Sequence, residues 1–94
     1  MRRAARCDAN KAEIVAFLRA CGCSVYDLKQ PVDLLVGKSG RTALVELKDG
    51  SKPFSRQKHT IAQERFMAEW KGGTVSTIRD IDGARTLVAM LDSA

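Results

Sequence analysis

Residues 31–50 read PVDLLVGKSGRTALVELKDG, which is two β-strand patterns joined by a turn signal. The first strand pattern covers residues 33–36, and the second covers residues 41–48. Between them, residues 37–40 combine two glycines with a lysine and a serine, a composition typical of a turn. The stretch therefore predicts a β-hairpin, and the remaining elements are assigned around it.

Side chains alternate between the two faces of a strand, so this hairpin has faces of different character. Pairing of Val36 with Arg41 across a tight turn would place Asp33 opposite Leu44. One face then carries only apolar residues: Val32, Leu34, Val36, Ala43, Val45 and Leu47. The other face carries Asp33, Leu44, Glu46 and Lys48.

Two carboxylates and an ammonium group meet on that second face, which suggests a metal site. Diagonal neighbours there lie roughly 7–8 Å apart, close enough for a hard divalent cation to bridge Asp33 and Glu46. The backbone carbonyl of Leu47 is a third candidate ligand. Lys48 would stabilise developing negative charge rather than act as a free base. The alternative is a solvated face on which Glu46 and Lys48 form a surface ion pair.

The rest of the chain predicts an α/β fold in the order αβββαβα. The predicted helices are residues 9–20 after a cap at Asp8 or Asn10, a helix opened by Thr60 and stopped by Gly72–Gly73, and a helix capped by Asp80 or Asp82. The remaining strands are residues 23–28 and 74–78. The second helix should bury Ile61, Phe66, Met67 and Trp70, and the last helix Ile81, Ala84, Leu87, Val88 and Leu91.

Two helical residues have an open interpretation. Gln63 follows Thr60 by three residues and predicts a capping box, so its amide either only caps the helix or also contacts phosphate or water. Glu13 either points from the first helix toward the metal or is an ordinary exposed glutamate.

Length and composition predict one domain spanning residues 1–94. The chain has no apolar run long enough for a membrane span and no secretory signal pattern at its start, so we expect a cytoplasmic protein. Cys7, Cys21 and Cys23 are interpreted as reduced core thiols. With His59 the only histidine, the cysteines lack zinc-ligand spacing.

A net charge of +5 favours a polyanionic partner. Basic residues are found near the start of the chain and after the predicted site, where they would offset repulsion between phosphate and the carboxylates. The candidate DNA contacts are Lys11, Lys52, Arg56 and Lys58.

These motifs resemble the PD-(D/E)xK nuclease superfamily and, within it, the small stand-alone VRR-Nuc proteins of phages and prophages. The matching segments are residues 10–13, 31–37, 45–50 and 58–63, together with Phe66. The resemblance implies a restriction-endonuclease-like core with a central mixed sheet flanked by helices.

The resemblance also assigns five active-site positions, with Mg²⁺ or Mn²⁺ as cofactor. These positions are Glu13, Asp33, Glu46, Lys48 and Gln63, with Gln57 as the alternative glutamine. The implied protein is a homodimer that cuts branched DNA, similar to a Holliday-junction resolvase. A dimer contact could come from Ile81, Leu87, Val88 and Leu91 or from the hairpin edge.

The sequence thus predicts a metal-dependent DNA endonuclease. One alternative is a non-catalytic nucleic-acid-binding module on the same fold. A second is a small structural protein whose charged faces serve protein contacts.

Overall fold

A computed structural model describes residues 3–48 and 60–93 and has the predicted element order αβββαβα. The elements are α1 (Arg3–Ala20), β1 (Ser24–Asp27), β2 (Leu34–Lys38), β3 (Arg41–Leu47), α2 (Ile61–Glu69), β4 (Thr74–Ile78) and α3 (Ile81–Asp92).

The four strands form one mixed sheet in the order β1-β2-β3-β4. β1 and β2 pair antiparallel, as do β2 and β3, whereas β3 and β4 run parallel. A parallel pair requires a crossover connection, and α2 lies in that connection. The described part of the chain therefore has an α/β fold with a mixed sheet and three helices.

The hairpin turn is shorter than the sequence suggested. Lys38 pairs with Arg41, so the turn consists of Ser39 and Gly40 alone. Both have positive φ, 56° and 78°, as expected for a two-residue hairpin turn that matches the twist of its strands. The predicted pairing of Val36 with Arg41 is wrong, because β2 continues through Gly37 to Lys38.

The corrected register leaves the two faces of the hairpin unchanged. Leu44 pairs with Leu35 rather than with Asp33, a slip of two residues. Because side chains alternate with a period of two, such a slip keeps every residue on its predicted face. The predicted apolar face is confirmed as the core side of the sheet: Val32, Leu34, Val36, Ala43 and Val45 are buried, and Leu47 packs against the core.

The core lies between this face and the helices α1 and α3. It consists of Ile14, Leu18, Cys23, Val25, Leu34, Val36, Ala43, Val45, Ile78, Ala84, Leu87 and Leu91. The apolar stripe predicted for the last helix is confirmed, with Ile81 and Val88 packed at its margin. Leu87 and Leu91 are only 2% exposed, so the prediction that they supply a dimer contact is wrong.

α1 begins at Arg3, six residues before the predicted start. Asp8 and Asn10 therefore lie inside the helix and do not cap it. The preceding residues are rich in alanine and arginine, whose high helix propensity extends the helix past both cap signals. The predicted stop at Gly22 is confirmed, since Gly22 has φ +96° and the Cys23 N–H donates to Leu18 O at 3.0 Å.

α2 differs most from its prediction. It begins after Thr60 as expected, but it has no buried residue, and Ile61 and Trp70 are 76% and 43% exposed. Phe66 and Met67 are half-buried, and the Phe66 and Trp70 rings lie 5.3 Å apart. The prediction that Ile61 and Trp70 are buried is wrong because α1 and α3 already occupy the core face of the sheet.

Neither the 18-residue α1 nor another helix within residues 3–48 and 60–93 has the length and apolar character of a membrane span.

Candidate active site

Both the backbone and the side chain of Asp33 form hydrogen bonds with β3. Its N–H donates to Val45 O at 3.0 Å, and its Oδ2 accepts from the Leu47 N–H at 2.7 Å. Val45 and Leu47 flank Glu46 in the chain, so Asp33, the residue directly before β2, is held beside Glu46. The two carboxylates that the sequence assigned to one face are therefore brought together.

Glu46 is the only charged side chain buried among the residues whose side chains the structure describes, with 2% of its surface exposed. Its Oε2 accepts a 2.5 Å hydrogen bond from Gln63 Nε2 and lies 3.2 Å from Lys48 Nζ. Its Oε1 is buried and accepts no hydrogen bond from any residue that the structure describes. A buried carboxylate oxygen without a partner is costly, so a cation or a proton is expected there.

Burial raises the pKa of the Glu46 carboxyl, because an ionised carboxylate loses its hydration there. The negative charge of Asp33 raises this pKa further, whereas the hydrogen bonds and charge of Lys48 and the bond from Gln63 oppose the shift. Glu46 therefore binds a proton more readily than a free glutamate. A divalent cation between Asp33 and Glu46 would remove the repulsion that favours this proton.

Gln63 caps α2 as predicted and also contacts Glu46, whereas its predicted contact with phosphate or water stays a prediction. Its N–H donates to Thr60 Oγ1 at 3.1 Å, and its Oε1 accepts from the Thr60 N–H at 3.0 Å, which completes the predicted capping box. The same amide donates from Nε2 to Glu46. Gln63 thus connects the start of α2 to the polar face of the sheet.

Lys48 lies one residue beyond the end of β3, and its N–H donates to Ile78 O at 3.0 Å. Its ammonium is 3.2 Å from Glu46 Oε2 and 3.5 Å from Gln63 Oε1. Its side chain is only 13% exposed, so the pair with Glu46 is not the surface ion pair of the alternative interpretation. The arrangement places a positive charge beside the Glu46 carboxylate.

The remaining predicted contacts from α1 do not join this cluster by any described bond. Glu13 is exposed and makes no hydrogen bond or ion pair with another described residue. Lys11 forms an ion pair with Asp27 at 2.5 Å, which ties α1 to β1. The catalytic role of Glu13 and the DNA contact of Lys11 stay predictions.

Several other candidates lie outside the described residues. They are Lys52, Arg56, Gln57 and Lys58. Their predicted roles stay predictions.

Thr77 is a neighbour of this cluster that sequence reasoning missed. It pairs with Glu46 across the parallel β3–β4 ladder and is half-buried. The strand pattern of residues 74–78 was recognised, but no local signal indicates which strand it would join. Only the crossover through α2 brings Thr77 beside Glu46.

The donor set fits a hard divalent cation. Such ions prefer carboxylate oxygens and retain several waters, so two protein carboxylates can suffice for Mg²⁺. Asp33 and Glu46 supply them, and the partnerless Glu46 Oε1 is the observation that fits a cation. No group of three or more His, Cys, Asp or Glu residues suited to a metal occurs in the described part of the chain. The Leu47 carbonyl stays a predicted ligand.

Comparison with family models, curated proteins and solved structures finds no significant match to this chain.

Proposed function

We propose that this protein is a metal-dependent DNA endonuclease with a VRR-Nuc-like, PD-(D/E)xK type of active site. The proposal assigns Asp33 and Glu46 as ligands of Mg²⁺ or Mn²⁺, with Lys48 and Gln63 beside them. It takes the αβββαβα chain as a restriction-endonuclease-like core. The substrate is structured or branched DNA, and the active unit is a homodimer.

One observation carries the proposal: Glu46 is buried on the polar face of the hairpin, and one of its oxygens has no hydrogen-bond partner among the described residues. An ordinary surface glutamate would be hydrated, and a purely structural buried one would have both oxygens bonded. The negative charge of the neighbouring Asp33 raises the free-energy cost of an ionised Glu46 when no cation is bound. A site that keeps two acidic groups together at this cost is typical of a functional centre.

The protein residues have separable roles in the proposed reaction. When bound, the cation stabilises charge on the scissile phosphate and activates the attacking water. Asp33 and Glu46 hold it at the end of β3, and the backbone bonds of Asp33 limit the movement of that carboxylate. Lys48 offsets negative charge that develops on the phosphate. Gln63 keeps Glu46 oriented through its bond to Oε2.

The charge of the whole chain supports a DNA substrate. Sixteen Lys and Arg against eleven Asp and Glu give a net charge of +5, although the site itself is acidic. A phosphate backbone would be attracted by the overall field, and its binding should weaken steeply with salt through counterion release.

A cleavage assay tests the proposal directly. The protein is incubated with a four-way junction, a flap, a nicked duplex, a linear duplex and single strands, each in Mg²⁺, Mn²⁺ or chelator. We expect cation-dependent cleavage that is strongest on branched DNA. Asp82→Asn is the matched control, because the Asp82 side chain is exposed and, among the described residues, pairs with Arg85 of the same helix and no other.

The outcomes separate the alternatives. Salt-sensitive DNA binding without cleavage in either cation would favour the non-catalytic module. Absence of both binding and cleavage would favour the structural protein. Cleavage that persists in chelator, or in Glu46→Gln at the wild-type rate, would contradict the assigned site.

A further inference from the structure

The side-chain amide of Gln63 bonds a hydrogen-bond donor through its oxygen and an acceptor through its nitrogen. The backbone N–H of Thr60 lies 3.0 Å from Gln63 Oε1, and Glu46 Oε2 lies 2.5 Å from Gln63 Nε2. An N–H can only donate, and an ionised carboxylate can only accept. The amide therefore has one orientation that satisfies both neighbours.

Lys48 is a weaker determinant of this orientation. Its ammonium is also near Gln63 Oε1, but at 3.5 Å, beyond the usual range for such a bond. Thr60 is nearer and is itself fixed, because its Oγ1 accepts from the Gln63 N–H in the reciprocal half of the capping box. The start of α2 thus sets the direction of the Gln63 amide.

We infer that Thr60 is a positioning residue for the metal ligand Glu46. Through its backbone N–H it turns the Gln63 amide so that Nε2 binds Glu46 Oε2, which leaves Oε1 as the oxygen open to the cation. A reversed amide would place a carbonyl oxygen against the carboxylate and would repel it. The cation part of this inference rests on the proposed function, whereas the orientation of the amide does not.

Three substitutions at Thr60 separate this role from ordinary helix capping. Thr60→Ser keeps the hydroxyl and the N–H. Thr60→Ala loses the hydroxyl cap but keeps the N–H that holds Gln63. Thr60→Pro loses both, and the φ of −72° at Thr60 lies within the range that a proline ring fixes. Alanine and proline should both lower the melting temperature, but only proline releases the Gln63 amide.

Binding of Mn²⁺ measured by calorimetry is the first readout. We expect Thr60→Ser to match the wild type, Thr60→Ala to lose no more than about threefold, and Thr60→Pro to lose about tenfold or more, the usual effect of removing a partner that orients a metal ligand. Equal Mn²⁺ affinity in the alanine and proline variants would overturn the inference.

NMR of the wild type is the second readout and does not depend on a metal or on a variant that folds. A through-hydrogen-bond coupling between the Thr60 amide nitrogen and the Gln63 side-chain carbonyl carbon is expected. Its absence would overturn the inference whatever the Mn²⁺ result. A wild type that shows the coupling but binds no Mn²⁺ would contradict the proposed function while supporting the orientation of the amide.

Discussion

Asp33 and Leu47 are joined by a 2.7 Å hydrogen bond from the Leu47 N–H to Asp33 Oδ2. The side chain thereby takes the place of a backbone acceptor at the end of the β2–β3 ladder. One oxygen of Asp33 is structural, and Oδ1 accepts no hydrogen bond from another described residue. The residue proposed to bind a cation therefore also secures the strand that carries Glu46.

This double role makes two substitutions of Asp33 informative. Asp33→Asn can keep an oxygen acceptor for the Leu47 N–H but removes the charge, so cleavage should be lost with little change in stability. Asp33→Ala also leaves the part-buried Leu47 N–H without its acceptor, which costs about 1–3 kcal/mol. Urea unfolding and cleavage rates measure the two effects. Wild-type turnover of Asp33→Asn at saturating Mg²⁺ would show that Asp33 is not a ligand.

The raised pKa of Glu46 predicts how stability depends on pH. A carboxyl group whose pKa is higher in the folded state stabilises the fold while it is protonated. For Glu46 this stability is fully present below the unfolded-state pKa, near 4.5, and is lost as the pH rises through the folded-state pKa. Glu46→Gln should therefore melt at a higher temperature than the wild type at neutral pH in chelator. The difference should vanish well below pH 4.5.

Adding a divalent cation should make the wild type melt at a higher temperature than Glu46→Gln. Mg²⁺ or Mn²⁺ at about 100 times its dissociation constant would stabilise the wild type by about 2.7 kcal/mol and leave Glu46→Gln nearly unchanged. Thermal unfolding in chelator and in each cation measures both effects. An equal response of the two proteins to the cation would place its binding elsewhere.

Gln63→Glu should separate the cap from the site contact. A glutamate retains an oxygen for the Thr60 N–H, so the capping box can persist. It cannot donate to Glu46, however, and would face it with a second negative charge. We expect at least a tenfold loss in cleavage rate, as is typical when the partner of a metal ligand is removed. Helix content measured by circular dichroism should hold, and an unchanged rate would restrict Gln63 to capping.

The homodimer is tested by light scattering at micromolar concentration. Resolving a four-way junction takes two symmetric cuts, which two copies of the site would provide, so we expect twice the chain mass of 10.3 kDa. Because Leu87 and Leu91 belong to the core, Leu87→Ala should chiefly lower the stability of each chain, by about 2–5 kcal/mol. A monomer that still cuts paired strands of a junction would contradict the dimer and favour a nicking enzyme.

The sequence by itself determined the elements and the faces of the hairpin. Alternation along each of the two strand patterns assigns their side chains to a face, and this assignment survives a two-residue error in register because the period is two. The three-residue spacing of Thr60 and Gln63 predicts their capping box, because that motif depends only on local backbone geometry.

Only the tertiary structure decided the register, the burial of Glu46 and the double role of Gln63. Residues 37–40 allow more than one turn, and the choice depends on positive φ at Ser39 and Gly40, which the flanking strands enforce by their twist. Glu46 is buried by groups from α2 and β4, whose approach depends on the crossover connection and leaves no local pattern. The electrostatics of the site follow from that approach, because desolvation and repulsion act through space and not along the chain.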